Sequence, residues 1–212
     1  ADITAKALTV SGVTAANKTY DGTTLATLSG GTLDGLVAGE TLSLSGQTGA
    51  FSDQNAAAGK NVTVTGATLS DGTGLASNYT VSSATGVTAN ITAKALTVSG
   101  VAAAHKAYDG NNVAIVSGGT LNGLVGSETL VLSGQTGSFA DKNVAAGQTV
   151  AVTGATLGNG TGLASNYTVG NATGVTADIT AKALTVSGVT AANKTYDGTT
   201  LATLSGGTLD GL

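Results

Sequence analysis

The 212-residue chain has no cysteine, methionine, tryptophan or proline, and all eight of its basic residues are lysines. Without cysteine there is no disulfide to staple the fold and no thiol to do chemistry. One histidine and no cysteine leave too few ligands and bases for a zinc centre or a nucleophile–histidine triad. A net charge of −4 with no arginine argues against nucleic acid, because phosphate binding needs clustered cations. Charged residues are only 9% of the chain, so it is not a charge-rich disordered tail. Apolar runs extend only a few residues, which gives neither a transmembrane helix nor a signal peptide in the sequence shown. Lack of a free thiol suits a protein exposed outside the cell.

What is present is glycine (33 residues), alanine, threonine and serine, arranged in a repeat. The segment ITAKALTVSGV starts at Ile3, Ile91 and Ile179, a period of 88 residues without insertion. Tyr20 recurs as Tyr108 and Tyr196, Phe51 as Phe139, and Tyr79 as Tyr167; residues 177–212 repeat residues 1–36 letter for letter. The phase predicts an excerpt of a longer array. Residues 1–5 end a preceding copy, 6–93 and 94–181 are full copies, and 182–212 are part of a third. Many copies in tandem suit a fibre, a stalk or a multivalent binder better than an enzyme.

Within a period, apolar and polar residues alternate at 7–11, 41–45, 61–65, 79–81 and 87–92, the pattern of half-buried strands. Asp21-Gly22, Gly30-Gly31, Asp34-Gly35 and Asp71-Gly72 read as turns. No apolar stripe has helical spacing. The expectation is an all-β chain of tandem compact domains, sandwich-like or grasp-like, stacked end to end as a rod. Strand-like segments every 16–20 residues keep a continuous β-solenoid as the alternative. No proline- or glycine-rich linker separates residues 87–92 from 95–98, so neighbouring copies are expected to support one another.

The motif Asn17-Lys18-Thr19-Tyr20-Asp21-Gly22-Thr23-Thr24, with the flanking ITAKALTVSG and the later GLASNYTV at 74–81, resembles the signature of the YDG domain. YDG repeats, and the related MBG repeats, occur in large bacterial surface adhesins, many similar to filamentous haemagglutinin. The resemblance implies a β-rich extracellular module and supplies no catalytic residue and no defined ligand.

The recurring triplet Tyr20-Asp21-Gly22, Tyr108-Asp109-Gly110 and Tyr196-Asp197-Gly198 has two readings. The tyrosine ring could stack on a sugar with the aspartate as acceptor, or it packs in a thin core beside an Asp-Gly turn; the packing reading is preferred. Eight asparagines stand in Asn-x-Thr and are candidate glycosylation sites: Asn17, Asn61, Asn78, Asn90, Asn159, Asn166, Asn171 and Asn193. Lys6, Lys18 and Glu40, with Lys94, Lys106 and Glu128, are the repeated candidates for an isopeptide bond. His105 replaces the Asn17 and Asn193 of the other copies, so nothing general rests on it. No cofactor is expected. Calcium is the one ion left open by the turn aspartates, although no Asp-x-Asp-x-Asp-Gly loop is present.

These readings converge on a non-enzymatic structural repeat region of an extracellular bacterial stalk, fibre or filament, supporting adhesion or biofilm. The alternative is that the repeats themselves bind a carbohydrate or protein multivalently. The expected partners are neighbouring repeats and, in a filament, identical chains.

Overall fold

The computed structural model describes residues 1–212 and is all-β. The first copy runs through ten strands: β1 (Lys6–Ala15), β2 (Lys18–Thr19), β3 (Leu25–Ala26), β4 (Leu28–Asp34), β5 (Leu42–Ser45), β6 (Thr48–Phe51), β7 (Ala57–Thr65), β8 (Thr68–Asp71), β9 (Tyr79–Val81) and β10 (Thr88–Thr92). They form a three-stranded sheet β4-β1-β9, a ribbon β5-β8, and a five-stranded sheet β2-β10-β7-β6-β3 that curls into a half-barrel. We call the three-stranded sheet and its ribbon the collar. The second copy repeats this order, and the third contributes one hairpin, Thr185–Ala191 with Leu204–Asp210.

Alternation explains the elements. In β7, Lys60, Val62 and Val64 point inward while Asn61, Thr63 and Thr65 face water. Ala89 and Ile91 of β10, Phe51 of β6 and Val10 of β1 point into the same core, and Leu8 of β1 is buried as well. Fully burying each of the larger side chains contributes roughly 1.5–3 kcal/mol. On the wet faces, hydroxyls pair across strands: Thr48 with Thr65 and Ser45 with Thr68, each at 3.1 Å, and Thr14 with Ser29 at 2.9 Å. Such cross-strand pairs give the abundant threonine and serine a structural use.

Two expectations need correction. Gly30-Gly31 is not a turn; it lies inside β4, where Gly30 stands opposite Val13 of β1 and both glycines hold a left-handed backbone without a shift of register. The solenoid alternative also gives way. Lys6 pairs with Tyr79 and Lys18 with Ile91, at opposite ends of one copy, alongside antiparallel neighbours such as β6 and β7. A coil-on-coil stack would instead pair each strand with the next coil.

The chain divides into two compact units that are out of phase with the sequence period. One comprises residues 1–100, 119–135 and 154–172, which is the first copy together with the collar of the second. The other comprises residues 101–118, 136–153 and 173–212, which is the second half-barrel and the hairpin of the third copy.

Candidate functional site

The Lys-x-Tyr-Asp-Gly-Thr loop closes on itself through local bonds. Asp21 Oδ1 accepts the backbone N–H and the hydroxyl of Thr23, both at 2.9 Å. The Lys18 ammonium donates to Asp21 Oδ1 at 2.8 Å, to Thr23 O at 2.7 Å and to Thr23 Oγ1 at 2.9 Å, which uses all three of its protons. It also stands 5.5 Å from the centre of the Phe51 ring. Partial burial works against ionisation of Asp21, but the Lys18 and Thr23 hydrogen bonds and the Lys18 charge together outweigh it and hold the carboxyl below its usual range. Gly22 supplies the left-handed turn at φ +77°.

The clasp recurs as Lys106–Asp109–Asn111 and as Lys194–Asp197–Thr199. In the third copy Tyr196 is 94% exposed, yet the clasp is intact. The loop is therefore organised by its own residues.

Tyr20 finds its partner in the next copy, within the first compact unit. It is only 2% exposed, and its hydroxyl donates to Glu128 Oε1 at 2.6 Å. Tyr167 donates to the other oxygen, Oε2, at 2.6 Å and accepts the Val125 N–H at 3.0 Å. The two tyrosine rings meet edge to face at 5.3 Å. Beside them Asn166, 1% exposed, accepts the Ala56 N–H at 2.8 Å and donates to Asn55 Oδ1 at 3.0 Å. Burial, then the Glu128 hydrogen bond and charge, push the Tyr20 hydroxyl up to about 12; Tyr167 is raised by burial first and Glu128 second.

Apolar packing is continuous through this junction. One core holds Val10, Phe51, Val62 and Ile91 of the first copy with Leu96 and Tyr167 of the second, and Leu124, Val125 and Leu130 pack against it. A Cβ on Gly22 would stand 3.0 Å from Val125 Cγ1, so this glycine also lets the next collar approach.

Half of the junction is already assembled inside a collar. In the first copy Tyr79 donates to Glu40 Oε2 and accepts the Val37 N–H at 3.2 Å, while Val37 and Asn78 are exposed. Tyr108 of the second half-barrel is half-buried beside a cavity of about 490 Å³ lined by Asp109, Val144, Lys182, Leu184 and Leu212. The corresponding side of Tyr20 is packed by Val125, Glu128 and Tyr167.

The other sequence candidates are scattered. Asn61, Asn78 and Asn193 are exposed. Asn17, Asn90, Asn159 and Asn171 each accept a backbone N–H, from Asn90, Gly59, Ala164 and Ala155 respectively. Asn166 is removed as a glycosylation candidate at this junction, because its amide is buried and bonded at both ends. Of the isopeptide candidates, Lys18 and Lys106 serve the clasps and Glu40 and Glu128 receive tyrosine hydroxyls, while Lys6 lines one pocket with Glu40 and Tyr79 and Lys94 stands opposite Tyr167 in the strand pairing. A buried lysine the sequence did not single out, Lys60, pairs with Asp53 at 2.5 Å; Gln148 takes its place in the second copy and bonds Asn143 O instead. His105 Nδ1 accepts the Asp178 N–H at 2.8 Å. No group of three or more histidine, aspartate or glutamate side chains lies close enough to hold a metal ion.

Glu128, Asn55 and Asn166 were missed as a set. The signal available was that each recurs, as Glu40, Asn143 and Asn78, in every copy long enough to contain the position.

Compared with known families, residues 4–86, 92–176 and 180–212 each match the family model of the YDG domain. No curated protein and no solved structure matches the chain.

Proposed function

Because the chain belongs to the YDG domain family throughout its three copies, we propose that it is the structural repeat region of a long extracellular bacterial stalk or filament, supporting adhesion or biofilm, and not an enzyme. The observation that carries this reading is the junction: Tyr20 of one copy is bonded to Glu128 of the next inside one uninterrupted core. A chain built to display independent binding domains gains nothing from such a joint, whereas a spacer that must keep its course does.

Two further observations support a structural role over direct ligand capture. Five of the seven aromatic rings, Tyr20, Tyr79, Tyr167, Phe51 and Phe139, are buried and so not offered to a sugar, whereas Tyr108 is half-buried and Tyr196 exposed. The carboxylates of Asp21, Glu40 and Glu128 are satisfied by lysine or tyrosine partners. The cell surface, and the haemagglutinin-like context of the family, belong to the proposal with the rest.

Electron microscopy of the native, full-length material tests it. The expected image is a thin, straight array with an axial repeat of about 40 Å or less per copy, given strands about 17–20 Å long. Isolated globules without axial order would overturn the reading and redirect attention to a ligand.

A further inference from the structure

Each copy is entered through β1 and left through β10, and both strands lie in parallel pairs. Along β1 and β9, Lys6 is opposite Tyr79, Ala7 opposite Thr80 and Leu8 opposite Val81, and the Ser82 N–H donates to Leu8 O at 3.2 Å. Along β10 and β2, Ile91 is opposite Lys18 and Thr92 opposite Thr19, and the Tyr20 N–H donates to Thr92 O at 2.8 Å. Only Ala93 separates β10 from the next entry strand, Lys94–Ala103, which pairs in the same way with Tyr167–Val169. The second exit pair, Lys106 with Ile179 and Ala107 with Thr180, is again parallel and again closed by a tyrosine N–H, Tyr108 to Thr180 O at 2.8 Å.

From this topology we propose that each repeat is a load-bearing module whose entry and exit strands are clamped against tension along the chain. The proposal rests on the stalk reading and adds what the stalk must withstand. Tension draws β1 by its N-terminal end, while β9 is held through its C-terminal end by residues 82–87 and β10. In a parallel pair those are opposite ends, so all the cross-strand bonds are loaded together. The same holds for β10, drawn from Thr92, against β2, held from Lys18. Loading bonds together raises the barrier to rupture far more than peeling them in turn, and forced unfolding is set by that barrier. Leu8 and Tyr79 of the first pair, and Tyr20 and Ile91 of the second, are buried and must be drawn out as their own pair ruptures. Tyr20 links the two devices, since its backbone closes the exit pair and its hydroxyl grips the next collar.

Single-molecule pulling on the full chain tests the clamp, and the absence of native cysteine allows unique handles. Handles at Ala5→Cys and Thr85→Cys lie at opposite ends of the β1–β9 pair and load it in shear. Handles at Ala5→Cys and Ser77→Cys lie at the same end and peel it. The expected result is a rupture force several-fold higher for the first pair. Ala16→Cys with Ala93→Cys, against Ala16→Cys with Thr85→Cys, makes the same comparison for the β2–β10 pair and serves if the first variants fold poorly. Equal forces in the two geometries would falsify the clamp. Because pulling reads strength and microscopy reads unloaded order, a weak but ordered array would sink this inference and leave the stalk reading standing.

Discussion

Tyr20 carries two bonds of different kinds, and the difference can be measured. Tyr20→Phe keeps the ring packed against Tyr167 and removes only the hydroxyl bonded to Glu128. Hydrogen bonds to a charged partner are worth roughly 1.5–3 kcal/mol, so a loss of that size is expected in urea denaturation of the first compact unit. Tyr196→Phe is the control: this residue is almost fully exposed, and its substitution leaves stability unchanged. The same hydroxyl sets a response to alkali. Its folded-state value of about 12 lies above the ordinary 10, so the folded protein holds this proton more tightly than the unfolded chain. Its contribution is complete below pH 10 and is lost as pH rises from about 10 towards 12. Thermal melts followed across that interval should fall more steeply for the wild type than for Tyr20→Phe. At this scale sequence reasoning reached Tyr20 and its turn but not Glu128. The two residues are 108 positions apart, and alternation within a strand says nothing about which copy a side chain meets.

Strands rich in Val, Thr and Ile were legible as elements, and β5, β9 and β10 lie close to where alternation puts them. The strands that were not read are those whose periodicity is interrupted or too short to detect. β4 carries Gly30-Gly31 at its centre, and β2 and β3 have two residues each. The glycine pair is the instructive case, because its left-handed backbone is held within a continuing strand instead of reversing the chain. Space around these glycines separates two substitutions. A Cβ on Gly30 would stand 2.5 Å from the Gly12 carbonyl oxygen, whereas one on Gly12 meets nothing within 4 Å. Both alanines incur the strain of a left-handed backbone, about 1–3 kcal/mol. Gly30→Ala must in addition push β1 away, so it should lower the melting temperature clearly more than Gly12→Ala. Equal shifts would mean that β1 yields freely at this point.

For the whole molecule, the period of the sequence and the units of the structure disagree by half a copy, and the disagreement has a physical origin. An 88-residue copy with few aromatic side chains has a thin core, and the half-barrel thickens it by borrowing the collar of the next copy. Neighbour dependence was foreseeable from composition; the place where the copies divide was not, because a perfect repeat has no preferred starting point. Hydrogen exchange reads the division directly. Amides of Leu96, Val125 and Tyr167, which belong to the second copy by sequence, should exchange with the first half-barrel as one cooperative group. The Tyr20→Phe substitution should speed all of them together. Separate exchange of the two sets would place the cooperative boundary at the sequence period instead.

The recurrence of the junction residues also bears on how such a gene changes length. Tyr20 and Tyr108, Asn55 and Asn143, Glu40 and Glu128, Asn78 and Asn166, and Tyr79 and Tyr167 are the same residue at the same offset in different copies. A misaligned crossover between two copies in register joins an existing half-barrel to an existing collar, with every donor and acceptor already in place. Gain or loss of whole periods is therefore structurally silent at the new joint. A crossover out of register would strand a buried asparagine or tyrosine without its partner. Selection for folding alone would then keep the array in multiples of 88 residues while leaving its total length free to drift.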